Sequence, residues 1–185
     1  MTVRLVCVTS YDSPLGNLFL AADDVGLIGL WFENQTHFMV DSFGSILSAF
    51  LNKDNAQGDV ADAQSSNLIL NEAVHWLDQY FSGMVPDNDV SLHLIGTGFQ
   101  KDVWELLRTI PYGSTTTYGQ IAKQLSAMRD NKRVSAQAVG GAVKRNPVSI
   151  IVPCHRVIGA NGKLTGYAGG LDKKALLLNI EGNDF

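Results

Sequence analysis

Apolar and polar positions are arranged differently in the two halves of the chain. Arg4–Tyr11, Asn17–Ala22 and Gly26–Phe32 are short, apolar and rich in β-formers, and S-P-L-G-N and D-D-V-G between them have turn chemistry. Three successive strands are expected. Val40–Leu51 has mixed helical spacing, whereas residues 52–66 are polar and aperiodic, which predicts a surface loop. Leu68, Ala73, Trp76, Leu77, Tyr80 and Phe81 then recur at helical spacing, and Gly83 with Pro86 closes that helix. Val90–Ile95 alternates as a further strand. No internal repeat is present.

From Gly96 onward the pattern is helical. Val103, Leu106, Leu107 and Ile110 lie on one side of a helix that stops before Pro111. T-T-T-Y-G-Q-I-A-K-Q-L begins a second helix around Thr117. Ser135 can N-cap a third, A-Q-A-V-G-G-A-V-K-R, which ends before Asn146-Pro147. Two short helices joined by a turn suggest a helix-turn-helix, although many helical hairpins share this pattern. Ala138, Gly140, Gly141 and Ala142 would permit close helix packing, or close approach of the helix backbone to a flat ligand or a nucleic-acid groove. Leu176, Leu177, Leu178 and Ile180 mark a last helix ending at Glu181-Gly182.

Composition narrows the class. With 185 residues, 45% apolar and 17% charged, the chain suits one large soluble domain or two small ones. No apolar stretch approaches the roughly 18 residues that span a bilayer, and M-T-V-R-L-V-C-V-T-S reads as a first strand rather than a leader. Cys7 and Cys154 are too far apart in sequence to suggest a disulfide framework or a metal motif, so a reducing cytoplasm is the expected compartment. Charge adds more. Residues 1–100 carry two basic side chains against twelve acidic ones, and residues 101–185 carry twelve against six. This asymmetry points to an anionic partner for the basic half.

The candidate chemistry lies in I-I-V-P-C-H-R-V-I-G, Ile150 to Gly159. A lone cysteine after an apolar run is ordinarily a small core residue. His155 and Arg156, however, would be poorly placed in a sealed core. Histidine is also the usual base that makes a cysteine nucleophilic. Neighbours on a strand face opposite ways, so a turn after Pro153 or a bridging water would be needed to connect them. The second ring nitrogen needs an acceptor, for which Asp172 and Glu181 are the candidates. The glycine-rich segment that follows, G-A-N-G-K-L-T-G-Y-A-G-G-L, is either a surface loop or backbone that closely approaches a substrate.

P-C-H-R-V-I-G, with N-P-V-S-I-I-V before it and G-K-L-T-G-Y-A-G-G-L after it, resembles the signature of the O6-alkylguanine-DNA alkyltransferases. The likeness extends through F-Q-K-D-V-W, I-P-Y-G, T-Y-G-Q-I-A and A-V-G-G-A to the final E-G, and weakly to S-P-L-G-N-L. It implies an α/β (α+β) protein with a ribonuclease-H-like N-terminal domain at 1–95 and a winged helix-turn-helix domain at 96–185. The implied activity is DNA repair by single-use transfer of an alkyl group from O6-alkylguanine to Cys154, with O4-alkylthymine open as a second substrate. The implied partner is double-stranded DNA, bound through its minor groove with the damaged base flipped out, by a monomer that needs no cofactor.

Carried over by position, the resemblance makes Cys154 the acceptor, His155 its water-mediated base and Glu181 the residue that orients His155. Asn146 braces the active-site turn. Tyr118 supports base rotation and protonates the leaving guanine. Val157, Tyr167 and Ala168 line the base pocket, and Lys174 supports it. Arg133, Ser135, Ala136, Gln137, Gly140, Gly141, Lys144 and Arg145 face DNA. The family often has an arginine finger where this chain has Gln137, and about five extra residues stand between the two helices, so either Gln137 or Arg133 would fill the gap left by the flipped base. The zinc site of some relatives is not expected, because Cys7 lacks partners of the right type. The alternative is a lesion-binding or regulatory protein that does not react.

Overall fold

In a computed structural model that describes residues 6–33, 35 and 63–185, the N-terminal apolar runs pair as an antiparallel meander. Strands β1 (Cys7–Ser13), β2 (Gly16–Ala22) and β3 (Leu27–Phe32) lie in the order β1-β2-β3. The tight turn at Pro14-Leu15 is closed by Ser13, whose hydroxyl donates to Gly16 O (2.5 Å) and accepts from Leu15 N (3.2 Å). Gly16 there has φ +99°, a conformation that side chains disfavour. Leu18 pairs with Phe32 and Leu20 with Leu30, and all four are buried. The alternate residues Phe19, Ala21, Ile28 and Trp31 form a second apolar cluster with Val6 and Val8. Both faces of this small sheet therefore carry apolar side chains, which explains why β3 is buried along its whole length.

Helix α1 (Ala63–Phe81) begins earlier than the polar pattern suggested, within the expected loop 52–66. A first helical turn needs no apolar residue, so periodicity registers only from Leu68 onward. Residues 52–62, Val40–Leu51 and Arg4 lie outside the described residues. Val90–Ile95, expected as a strand, makes a single parallel bridge between Leu27 and Leu92. The approach is close, since a Cβ on Gly26 would lie 2.7 Å from His93 N. His93 is then held by its side chain, with Nδ1 2.6 Å from the Asp23 carboxylate, rather than by a continuing ladder.

The chain divides into two compact units with the boundary between Leu94 and Ile95. The second comprises α2 (Gly98–Arg108), β4 (Thr116–Thr117), α3 (Tyr118–Met128), α4 (Ala136–Lys144), a single 3-10 turn (Cys154–Arg156), β5 (Val157–Ile158) and α5 (Leu171–Ile180). The α/β class expected from the sequence is the class observed. Strands β4 and β5 pair in parallel, Thr116 with Val157 and Thr117 with Ile158. Capping boxes start two of the helices: Thr97 with Gln100 for α2, and Thr117 with Gln120 for α3. Ser135 caps α4 by accepting from Ala138 N at 3.1 Å.

The buried stripe of α2 is Val103, Trp104 and Leu107, with Leu106 only half buried, so the helix is rotated from the face the sequence suggested. Trp104 decides the rotation. Its ring is 1% exposed and its Nε1 donates to Ala142 O (3.0 Å), which anchors α2 to α4. Among the described residues, no helix is long and apolar enough to cross a membrane.

Trp104→Phe removes this donor and part of a buried ring, while Ala142 O keeps its bond from Arg145 N. The change should lower the stability of the second unit by about 2 kcal/mol, read by calorimetric unfolding. An unchanged transition would remove Trp104 as the anchor between α2 and α4.

Candidate active site

The apolar run before the cysteine is not a strand. Residues 148–153 fold into overlapping turns, with Val152 N donating to Val148 O (3.1 Å) and Ile151 N to Ser149 O (2.8 Å). Ile150 sits at φ 68°, in the left-handed region that a β-branched residue enters at a cost of about 1–3 kcal/mol. Asn146 holds the turns together. Its Nδ2 donates to Val148 O (3.1 Å) and Val152 O (2.8 Å), and its Oδ1 accepts from Val148 N (3.1 Å). These bonds satisfy the amide in a place where water is excluded. The chain leaves the knot at Pro153 and enters the 3-10 turn that carries Cys154, His155 and Arg156.

All three side chains are buried, contrary to the expectation that His155 and Arg156 would be ill placed inside. The reason is Glu181, just after α5. Its Oε1 lies 2.7 Å from His155 Nε2 and accepts from Arg156 Nη2 (3.0 Å). Its Oε2 accepts from Arg156 Nε (2.8 Å) and Gly113 N (3.2 Å). Burial alone would raise the pKa of this carboxyl group, but His155 and Arg156 bring it down to about 2. A carboxylate only accepts, so His155 carries a proton on Nε2, and Nδ1 is the basic nitrogen of the neutral ring. Burial pushes the imidazole pKa below its usual value, and Arg156 and Lys174 add to this against the pull of Glu181. Asp172, the other candidate acceptor, is exposed in the first turn of α5.

Cys154 is 4% exposed. Burial raises the pKa of its thiol, while the Asn146 amide, the Lys174 charge and the backbone N–H groups of the turn oppose that rise. Lys174 is wholly buried and donates to Val157 O (2.5 Å) and Thr165 O (2.7 Å). It thereby ties the glycine-rich segment to β5, and burial lowers its own pKa to about 8. Tyr118, at the start of α3, donates toward the carbonyls of Thr165 (3.3 Å) and Gly166 (3.4 Å). Burial raises its pKa. Tyr167 and Ala168 are half buried in the same segment.

The residues expected to face DNA form a separate group. Ser135, Ala136, Gln137, Lys144 and Arg145 are exposed on or beside α4, with Gly140 and Gly141 half buried. Gly140 lies beside the Tyr118 ring, which a Cβ added there would meet at an ordinary contact distance of 3.8 Å. Arg133 lines a cavity of about 440 Å³ with Arg129, Lys132, Phe99 and Ser135. Gln137 does not line this cavity, so the two candidate inserting residues occupy different places. Arg129 lies over the Phe99 ring and pairs with Asp102. Arg156 and Gly113 were given no role from the sequence. The one available signal was a charge inside the otherwise apolar run Val152–Ile158.

Comparison with known proteins shows the family. The family described as 6-O-methylguanine DNA methyltransferase matches twice: its ribonuclease-like domain over residues 6–94 and its DNA binding domain over residues 98–183. A methylated-DNA–protein-cysteine methyltransferase of Methanosarcina acetivorans is 45% identical over 174 residues, covering 94% of this chain and 96% of its own. The protein of the same name from Mycobacterium leprae is 42% identical, covering 93% and 90%. The crystal structure of Mycobacterium tuberculosis OGT in complex with DNA superimposes with a TM-score of 0.71 at 41% identity, covering 94% of this chain and 91% of that one. This chain belongs to the 6-O-methylguanine DNA methyltransferase family.

Proposed function

We propose that this protein repairs DNA by direct reversal, moving the alkyl group of O6-alkylguanine onto Cys154 once per molecule. The observation that carries this reading is a buried cysteine followed directly by a histidine whose Nε2 lies 2.7 Å from a buried carboxylate. A hydrolytic cysteine would turn over. Here the thiol proton passes to His155 Nδ1, through a bridging water, and the sulfur attacks the saturated alkyl carbon in line. The S–C bond forms as the C–O6 bond breaks, and the guanine anion takes a proton from a nearby donor, a role the proposal gives to Tyr118. The product is a thioether, which no thiol can reduce as it would a disulfide, so Cys154 is consumed.

A sulfur that is 4% exposed cannot reach a base stacked in a duplex, so the damaged nucleotide must be extruded toward it. Asn146 keeps the turn in place, Val157, Tyr167 and Ala168 line the base site, and Lys174 holds its wall together. The exposed residues of α4 enter the minor groove, with Lys144 and Arg145 on phosphates, and the protein acts as a monomer.

Transfer should stop at one alkyl group per protein, located on Cys154 by peptide mass spectrometry. Cys154→Ser should bind DNA and transfer nothing. Sustained turnover over excess alkylated DNA would sink this reading.

The pH profile tests His155. Burial lowers its pKa, so the neutral base persists below the ordinary imidazole value of about 6.5. Transfer from free O6-benzylguanine should therefore be flat near pH 7 and fall only below pH 6.5. A rate rising tenfold per pH unit through pH 7–8 would instead mean simple thiol ionisation without this base.

Gln137→Ala should slow repair in duplex DNA by about tenfold, since nothing then fills the gap in the stack. The same change should leave reaction with free O6-benzylguanine unaltered. Gln137→Arg should tighten duplex binding. If Gln137→Ala is silent and Arg133→Ala cripples duplex repair, the inserting residue is Arg133.

A further inference from the structure

Glu181 is shared, and the sharing has a chemical consequence. Four donors meet two oxygens: His155 Nε2 and Arg156 Nη2 on Oε1, and Arg156 Nε and Gly113 N on Oε2. Arg156 is itself fixed, with Nη1 donating to Ile110 O (2.6 Å) and its guanidinium 5.8 Å from the centre of the Tyr112 ring. Tyr112 is tied in turn to Ile180 O (2.9 Å), next to Glu181. This is a two-pronged charge pair in a place sealed from water, where it is strongest.

We propose that Arg156 is a positioning residue that keeps His155 neutral by sharing the Glu181 carboxylate with it. The inference rests on the reaction proposed above, in which His155 takes the thiol proton. A carboxylate serving His155 alone would favour the imidazolium, which cannot accept that proton. With Arg156 on the same carboxylate the cluster is already neutral when His155 is neutral, and protonating the ring adds an uncompensated buried charge. Glu181 still orients the ring through Nε2–H. The other groups facing this pair act in the same direction or are neutral: Lys174 repels a protonated ring, Cys154 is a thiol, and Tyr112 and Tyr167 are phenols.

The test compares Arg156→Gln, which removes the charge, with Arg156→Lys, which keeps it without the fork. Each variant is assayed for transfer from free O6-benzylguanine between pH 5 and pH 9. Arg156→Gln should move the acid midpoint upward by roughly one pH unit, so that transfer well below the midpoint falls up to about tenfold while transfer at pH 8 changes far less. Arg156→Lys should keep the midpoint close to the parent value. Uniform slowing by both variants with an unmoved midpoint would overturn the proposal and leave Arg156 as a structural brace. Nitrogen NMR of the His155 ring in the parent protein keeps the question open to test if neither variant folds. The ring should stay neutral, protonated on Nε2, from pH 8 to pH 6, and an imidazolium at pH 7 would refute the proposal. Absence of any alkyl group on Cys154 in the parent would refute the reaction itself, while an imidazolium at pH 7 would refute only the role given to Arg156.

Discussion

A buried carboxylate cannot stand uncompensated, and the compensation of Glu181 organises the second unit. Placed just after α5, it draws its partners from two places distant in sequence: the turn at Gly113 and the 3-10 turn at His155 and Arg156. Removing an anion from water costs several kcal/mol unless donors replace the lost hydration, and here each oxygen receives two. The same bonds that offset this cost fix the ring of His155 beside the cysteine. Fold stability and the geometry of the proposed chemistry are thus one arrangement, and a change in one is felt by the other.

The cysteine faces the opposite problem. Burial keeps Cys154 as a thiol, and the nearby charge of Lys174 and the amide of Asn146 reduce that penalty without removing it. On the proposed mechanism a protein that reacts once has no need of a standing thiolate. A protected thiol with a base in reach avoids loss to oxidation or stray alkylation before the lesion arrives. The strained φ of Ile150 fits the same logic, because overlapping turns braced by Asn146 can hold a backbone that isolated turns would relax.

The surface proposed to face DNA is built on different physics. α4 presents small residues and exposed polar side chains, with basic residues at its C-terminal end. Small residues allow close approach, and cations at the edge favour phosphates without reading sequence.

The three N-terminal strands and the helices from Gly98 onward were legible in the sequence, because each depends on local periodicity or caps. The misjudged elements share a different cause. The start of α1 was hidden by a polar first turn, the 90–95 segment by an alternation that pairs through only one bridge, and the face of α2 by the reach of Trp104 to a carbonyl 38 residues away. By spacing alone Glu181 and Asp172 were equal candidates, since both follow the cysteine at plausible distances, and the family resemblance favoured Glu181. The tertiary structure supplies the physical difference, burying one among donors and leaving the other at an exposed helix start. Arg156 was unreadable for the same reason. A charge in an apolar run is costly until its partner is brought to it, and that partner lies 25 residues on, at a meeting point that no local pattern encodes.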